Sequence, residues 1–325
     1  MKRIYLLLAT VMLSLHCISS ENTGRFSGIS SNTGIFRDLG AGVSLGTGGL
    51  GIDLSTHVTG YVRLRAGVDY MPEFTVPMNF GLESYTDNGG VNTNNFSNLQ
   101  NYMKRLSGID VDDNVAIDGK PHICNFKFLV DVYPFKGKGW RVTAGFYWGS
   151  RKIATARNTI EEMPSLLAVN IYNNFYDYFM ETDFYETPIY QDYYLDPFLV
   201  EDIRAQLEGQ GRMGIHIGDF KDGRPYMMKP DTDGMVKANA FVNAFRPYVG
   251  LGYTTPIGGC DSRFKFDVDC GIMMWGGSPE IITHDGVNMG KDLVNIRGKI
   301  GDYVDIANSL KVYPMVSVRF SYTIF

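Results

Sequence analysis

The stretch that decides the fold is Val316–Phe325, V-S-V-R-F-S-Y-T-I-F, with which the chain ends. Apolar and polar residues alternate in it as far as Ile324, and successive side chains of a β-strand point to opposite faces. One face of this strand is therefore apolar, and no polar tail follows to cover it. We expect the apolar face to meet lipid, and the strand to close a barrel by pairing with the first strand.

The same period of two recurs along the chain and predicts about eight strands. In the clearest of them one face is apolar, while the other carries charged or small residues. The predicted strands before the last one lie at about Leu39–Leu45, Leu50–Val58, Gly60–Tyr70, Asn125–Phe135, Trp140–Trp148, Phe245–Tyr253 and Arg263–Ile272.

The connections between the predicted strands are of two lengths. Some are short, and three are long, at about 72–121, 153–235 and 277–311. Outer-membrane barrels have short periplasmic turns and long outer loops. The pattern predicts an all-β fold: a closed antiparallel transmembrane β-barrel over residues 34–325, with long, partly helical extracellular loops and both chain ends in the periplasm.

Two all-β architectures fit such strands. A soluble sandwich or barrel buries its apolar face, whereas a membrane barrel turns that face to lipid. Large aromatic residues near strand ends favour the membrane barrel, because such residues gather at membrane interfaces. These residues are Tyr70, Trp140, Trp148, Tyr253 and Tyr322.

The polar faces of the predicted strands carry charges of both signs. A barrel of about eight strands is just wide enough for side chains to fill. Unpaired charges inside it are costly, so we expect these side chains to neutralise one another as a plug, with a narrow conducting pore as the alternative. The cluster comprises Asp53, Arg63, Arg65, Asp69, Lys127, Asp131, Arg141, Arg246, Lys265, Asp267, Asp269 and Arg319.

Residues 1–20 have the pattern of a secretory signal peptide. Lys2 and Arg3 precede an apolar run that ends at Leu15 and is too short to span a bilayer. We expect cleavage near Ser19 or Ser20, a periplasmic segment at 21–33, and residence in the outer membrane of a Gram-negative envelope. The net charge of -5 gives no basic footprint for nucleic acid.

Several segments resemble a family of small bacterial outer-membrane β-barrel proteins of about eight strands, many of them functionally uncharacterised. They are V-D-V-Y-P-F followed by W-R-V-T-A-G-F-Y-W, F-R-P-Y-V-G-L-G-Y-T, F-D-V-D-C-G-I-M-M-W-G-G-S-P and Y-P-M-V-S-V-R-F-S-Y-T-I-F. The resemblance implies the barrel architecture, outer-membrane lipid and the insertion machinery as partners, and a helix before the last strand. Two features depart from the family: Phe325 lies one residue beyond the alternating set, and segment 153–235 is longer than the corresponding loop.

The segment Ile171–Phe198 interleaves tyrosines with acidic residues, and Met163–Met180 has the pattern of a helix. Its aromatic residues either pack on one another in a small subdomain or form an extracellular contact surface for a glycan or a protein. The candidate contact residues are Tyr172, Tyr176, Tyr178, Tyr185, Tyr190, Tyr193 and Tyr194.

Catalytic and metal-binding signals are weak. Four histidines follow the signal peptide, His57, His122, His216 and His284, and none accompanies a nucleophile motif. The tetrapeptide Asp231–Gly234 begins like a calcium loop but lacks the other ligands, which predicts a turn. The sequence therefore predicts no catalytic residue, no metal and no cofactor.

Two further patterns complete the predictions. Cys124, Cys260 and Cys270 form an odd set without a CxxC pair, which predicts neither a disulfide framework nor a zinc site. A helical spacing links Leu293, Ile296, Ile300, Tyr303 and Ala307, and predicts a helix that covers the outer rim.

From these patterns we expect a monomeric, non-enzymatic surface protein with a structural or binding role. One alternative is a membrane-embedded lipid hydrolase or acyltransferase, which requires a histidine beside a hydroxyl or an acid. The other alternative is a narrow channel.

Overall fold

The computed structural model of the chain describes residues 38–86, 91–92, 97–98, 100–101, 104, 112–135, 138–259, 262–296, 301–302, 304–305 and 311–325. The predicted signal peptide at 1–20, the periplasmic segment at 21–33 and Cys260 lie outside the described residues. None of the helices that are described is long and apolar enough to cross a membrane.

Eight antiparallel strands pair in a closed ring. The last strand pairs with the first, with Phe320 opposite Val43, so the predicted closure by the C-terminal strand is confirmed. In chain order the eight strands are β1 (Gly40–Gly46), β2 (Gly49–His57), β3 (Val62–Met71), β7 (Ile123–Val132), β8 (Trp140–Gly149), β13 (Phe245–Pro256), β14 (Phe264–Met274) and β17 (Val312–Thr323).

The two ends of the barrel differ in their connections. At one end, the terminus end, lie three short turns, which span 58–61, 133–139 and 257–263, together with residue 38 and residue 325. At the other end, the cap end, lie the two-residue turn of 47–48 and three insertions, which span 72–122, 150–244 and 275–311. Three long connections at one end are therefore present as predicted, although the second insertion is longer than predicted.

The three insertions form a second sheet of nine strands, and we call their described residues the cap. The sequence pattern predicts loops there, and these strands were not expected. The cap strands are β4 (Val76–Tyr85), β5 (Val91–Asn92), β6 (Asn114–Pro121), β9 (Lys152–Asn158), β10 (Arg212–Phe220), β11 (Pro225–Met228), β12 (Lys237–Phe241), β15 (Glu280–Thr283) and β16 (Leu293–Val294).

The barrel wall continues into the cap. Five barrel strands that neighbour one another, β3, β7, β8, β13 and β14, each connect through a short break to a cap strand. Those cap strands, β4, β6, β9, β12 and β15, pair in the same order as their barrel counterparts. The cap sheet is therefore anchored to the barrel at five places.

Helices cover the cap sheet. They are α1 (Met163–Glu181), α2 (Pro197–Gln210) and the short α3 (Met289–Asp292). The predicted helix at 163–180 is thus present. Asn173 of α1 holds β10 twice, because its amide nitrogen donates to the Met213 carbonyl at 2.8 Å and its amide oxygen accepts from the Met213 N–H at 2.9 Å.

The outer surface of the barrel is apolar. Large aliphatic and aromatic side chains point outward from its strands, among them Ile52, Leu251 and Phe320. Aromatic pairs lie near both ends, with Trp140 against Tyr253 at the terminus end and Trp148 against Phe245 at the cap end. This is the arrangement of a sheet that faces lipid between two aromatic girdles.

One predicted helix is wrong in part. Leu293, the first residue of the proposed helical face, lies in β16, where it pairs with Phe220 of β10. Its apolar side chain fills the cap core as a strand residue, and Ile296 packs against the same core. Ile300, Tyr303 and Ala307 lie outside the described residues.

Candidate functional site

A cluster of ion pairs fills the barrel interior. Asp267 is its centre, because three guanidinium groups reach its carboxylate: Arg141 and Arg319 at 2.7 Å each, and Arg63 at 3.2 Å. The hydroxyl of Thr254 donates to the same carboxylate at 2.5 Å. All of these groups are buried.

Two further carboxylates join the arginines into a continuous network. Asp131 accepts from Arg63 at 2.9 Å and from Arg65 at 2.8 Å. Asp269 accepts from Arg65 at 3.1 Å and from Arg141 at 2.8 Å. Arg63, Arg65 and Arg141 therefore each lie between two carboxylates, which compensates for their removal from water.

The network extends along β2 and β7 toward the cap end. Asp53 accepts from Arg319 at 2.5 Å and lies 3.4 Å from the Lys127 ammonium group. Lys127 in turn lies 2.7 Å from Asp69 and donates to Ser44 at 3.2 Å. Five cations and five anions thus balance in the ion-pair cluster, which comprises Asp53, Arg63, Arg65, Asp69, Lys127, Asp131, Arg141, Asp267, Asp269 and Arg319.

Two glycines give the arginines room against the barrel wall. A Cβ atom at Gly42 would lie 2.5 Å from the Arg319 side chain, and one at Gly252 would lie 2.8 Å from that of Arg141. The missing side chains let the guanidinium planes approach the strands closely.

The other two interior cations have no carboxylate partner within the described part of the chain. Arg246 is buried near the cap end, where it donates to oxygens of Asn125, Ser150 and Asn243. Lys265 lies near the terminus end and is only half-buried. All twelve predicted cluster residues thus lie on the inner face, and ten of them form the network.

A second layer of interior side chains lies beside the ion-pair cluster, mostly toward the cap end. It consists mainly of apolar and aromatic side chains, with the rings of Tyr147 and Tyr248 packed edge to face at 5.6 Å. We call this the apolar layer; it comprises Leu129, Tyr147, Val242, Tyr248, Met273, Trp275 and Met315. The layer was not predicted from the sequence, because its residues come from different strands and meet only when the barrel is formed.

Of the seven tyrosines predicted as contact residues, Tyr172 and Tyr176 are buried in the cap, so their prediction as exposed residues is wrong. Both lie on the face of α1 that packs on β10, where the Tyr172 hydroxyl donates to the Gly211 carbonyl at 2.8 Å. Residues three or four positions apart lie on the same side of a helix, so Tyr172 and Tyr176 share one side. The exposed ones are Tyr178, Tyr185, Tyr190, Tyr193 and Tyr194.

Burial raises the pKa of Tyr172 to about 12, with the neighbouring Tyr176 adding to the rise. A raised folded-state pKa stabilises the cap fully below the unfolded value of about 10, and this contribution is lost as pH rises toward 12. We expect the urea midpoint of the cap, followed by limited proteolysis, to be lower at about pH 11.5 than at about pH 8.5. The Tyr172→Phe variant should show a smaller drop. An equal drop in the variant would assign the alkaline sensitivity to other groups.

The exposed tyrosines are presented by a tight hairpin, which we call the tyrosine hairpin (residues 189–194). Tyr190 and Tyr193 pair across it, and the Tyr193 N–H donates to the Tyr190 carbonyl at 2.9 Å. Gln191 at its tip has a φ of 51°, which is uncommon outside glycine. Tyr190 and Tyr193 are 68% and 73% exposed. The backbone therefore fixes an exposed aromatic pair at the end of a loop.

The four histidines considered as candidate catalytic residues lie in separate places. His57 contacts Asp38 at 2.8 Å at the terminus end, and His122 contacts Glu73 at 3.2 Å. His216 lies 3.1 Å from Glu83, while His284 contacts the backbone of Lys237.

Among the residues that the structure describes, no hydroxyl or thiol side chain makes a hydrogen bond to these histidines, and no group of three His, Cys, Asp or Glu side chains is placed to hold a metal ion. Asp231–Gly234 forms a turn, in which the Gly234 N–H donates to the Asp231 carbonyl at 2.8 Å. The non-enzymatic role stays a prediction.

A closed antiparallel ring with an apolar exterior and a charged interior defines the class of transmembrane β-barrel proteins. No protein-family model and no curated protein matches the chain. Several solved structures are similar to it, among them the following three. CarO2 of Acinetobacter baumannii is 14% identical, with a TM-score of 0.40 over 89% of this chain and 100% of its own. CarO of Acinetobacter baumannii is 12% identical, with a TM-score of 0.37 over 88% and 97%.

The third is a major outer membrane protein from Thermus thermophilus, which is 8% identical, with a TM-score of 0.26 over 88% of this chain and 98% of its own. Identities and TM-scores this low do not indicate a function, which is therefore inferred from the residues of the chain.

Proposed function

We propose that this chain is an outer-membrane β-barrel that displays its cap at the cell surface as a binding module. The apolar exterior and the two aromatic girdles support insertion in lipid. Outer-membrane barrels place short turns in the periplasm and long insertions outside, and all three insertions lie at the cap end. The proposal includes export by a cleaved signal peptide and assembly by the outer-membrane insertion machinery.

The filled interior supports a function in the cap rather than in the lumen. The ion-pair cluster and the apolar layer together fill much of the barrel interior with side chains. A wide aqueous path would need both layers to move. A channel therefore has less support than a binding protein whose barrel is an anchor.

The single observation that carries the proposal is the tyrosine hairpin. Its rings are exposed although the cap has a well-packed core, in which Leu166, Met213 and Ile215 are fully buried. Tyrosine offers a large, rigid contact area with a polar tip, which is why it is enriched at binding sites. Exposed tyrosines beside carboxylates suit an extracellular glycan or protein.

We expect the triple variant Tyr190→Ser/Tyr193→Ser/Tyr194→Ser to bind its target at least about tenfold more weakly than the unaltered protein. The measurement displays both proteins on bacterial cells and compares their retention on arrays of glycans and of extracellular proteins. Tyr61→Ser is the matched control, because Tyr61 is also exposed but lies at the terminus end. Retention that is equal for the triple variant and the unaltered protein would contradict the proposal.

A further inference from the structure

The outward side of α1 is apolar along its length. Leu167, Ile171, Phe175 and Tyr178 follow one another at spacings of four, four and three, which places them on one side of a helix. Each of them is about half exposed. Because the other side of α1 is buried on β10, the helix is apolar on both sides. Contiguous exposed apolar surface of this kind marks an interaction site.

The charge around this apolar side has one sign. Residues 160–202 contain ten Asp and Glu residues and no Lys, Arg or His. The whole chain has 30 cations and 35 anions, so the remaining residues have 30 cations against 25 anions. The negative charge of the protein is thus concentrated in this segment, and eight of its ten acidic side chains are exposed.

The first two arginines after this segment do not neutralise its exposed acids. Arg204 donates to the carbonyls of Phe179 and Thr182 at 3.0 and 2.7 Å, where it ties α2 to the end of α1. Arg212 contacts the half-buried Asp177 at 2.8 Å. Both guanidinium groups therefore make contacts that stabilise the cap itself.

The apolar side of α1 is continuous with the aromatic segment that follows it. The ring of Tyr178 packs edge to face on Phe184 at 5.4 Å, and the hydroxyl of Tyr185 donates to Glu201 of α2 at 3.3 Å. Phe198, in the first turn of α2, is 83% exposed. These contacts join the helix face to residues 184–185 and to α2, and residues 186–198 connect them along the chain. We call the helix face, residues 184–194 and the start of α2 the outward surface.

We infer that the outward surface binds a cationic, amphipathic segment of a polypeptide. The inference rests on the proposed function and names its partner. Among the described residues, the exposed carboxylates that border this apolar stripe form no ion pair. Such a stripe is complementary to a segment with apolar side chains on one side and Lys or Arg on the other. An acidic polymer is repelled by the same carboxylates, and a neutral glycan leaves their charge uncompensated.

The test uses the full-length protein in nanodiscs of zwitterionic lipid, with empty nanodiscs as background. The probe is a fluorescent helical peptide of about 18 residues built from Lys and Leu, and its Glu-for-Lys counterpart is the control peptide. Anisotropy should show that the cationic peptide binds, that the acidic one does not, and that added salt weakens binding. The variants Glu186→Lys/Asp192→Lys and Ile171→Gln/Phe175→Gln should each weaken binding at least about tenfold.

The control Glu208→Lys/Asp118→Lys makes the same change in net charge outside residues 160–202 and should bind normally. All variants are first shown to have a folded barrel by their heat-modifiable migration on a detergent gel, and a folded cap by its resistance to limited proteolysis. Binding no stronger than to empty nanodiscs, or binding unaffected by the reversal at Glu186 and Asp192, would overturn the inference.

If a neutral oligosaccharide of N-acetylglucosamine binds instead, and loses binding in the triple tyrosine variant, the inference fails while the proposed function stands. If the triple tyrosine variant keeps full retention on cells, the proposed function itself fails.

Discussion

Replacing Asp267 by asparagine is expected to lower the free energy of unfolding of the barrel by about 3–5 kcal/mol. The substitution keeps the size of the side chain but removes the negative charge that three buried arginines share. The amide group of asparagine also directs two donors at guanidinium groups, which have only donors to offer. Arg63, Arg141 and Arg319 would then hold buried charge with too few carboxylates.

The measurement is urea unfolding in lipid vesicles, with the fraction of folded protein read from its faster migration on an unboiled detergent gel. Lys265→Ala is the matched control: it removes a charge from the same strand, and Lys265 has no carboxylate within ion-pair distance among the described residues. We expect this control to unfold close to the unaltered protein. Equal midpoints for Asp267→Asn and the unaltered protein would mean that lumenal water, rather than ion pairing, solvates the arginines, and would favour the channel alternative.

Replacing Gly211 by alanine is expected to destabilise the cap by at least about 3 kcal/mol while the barrel stays folded. Gly211 joins α2 to β10 with a φ of 72° and a ψ of -173°, a backbone conformation that is essentially restricted to glycine. A Cβ atom there would lie 2.0 Å from the carbonyl oxygen of Tyr85 on the neighbouring strand. Backbone strain and a clash with backbone therefore act together.

Gly209→Ala is a control two residues away with the opposite expected sign. Gly209 lies inside α2, a Cβ atom there meets nothing within 4 Å, and alanine favours a helix over glycine by up to about 1 kcal/mol. Limited proteolysis of intact vesicles would measure both variants. Gly211→Ala should be cut within the cap at protease concentrations that spare Gly209→Ala. A cap that resists the protease equally in both variants would show that the α2–β10 junction tolerates a side chain.

The barrel could be predicted from the sequence because each of its strands has lipid on one side and the interior on the other. That environment imposes the alternation seen in Val316–Phe325 and fixes which residues face inward. The cap strand β10 has no such signature: Met213 to Gly218 are all buried, since the sheet has protein on both sides. A strand buried on both faces loses its period of two.

The errors and gaps in the predicted site have similar physical causes. Applying the helical repeat to Met163–Met180 would have separated the buried Tyr172 and Tyr176 from the exposed Tyr178, because the phase of a helix is visible in sequence. The pairing of the buried charges, in contrast, is not visible in the sequence. Asp53 and Arg319 are 266 positions apart and meet only because the ring closes. The composition therefore predicts that the interior charges balance, but not which residues form ion pairs.

The continuity between barrel wall and cap sheet has a mechanical consequence. A pull on the tyrosine hairpin is transmitted through five junctions into neighbouring strands of the barrel, instead of through a single flexible tether. Hydrogen bonds between antiparallel strands lie perpendicular to the strands, so tension along the strands loads many of them in shear at once. When fluid flow pulls on a bound partner, the cap would therefore resist deformation. The force would be distributed over several barrel strands in the membrane.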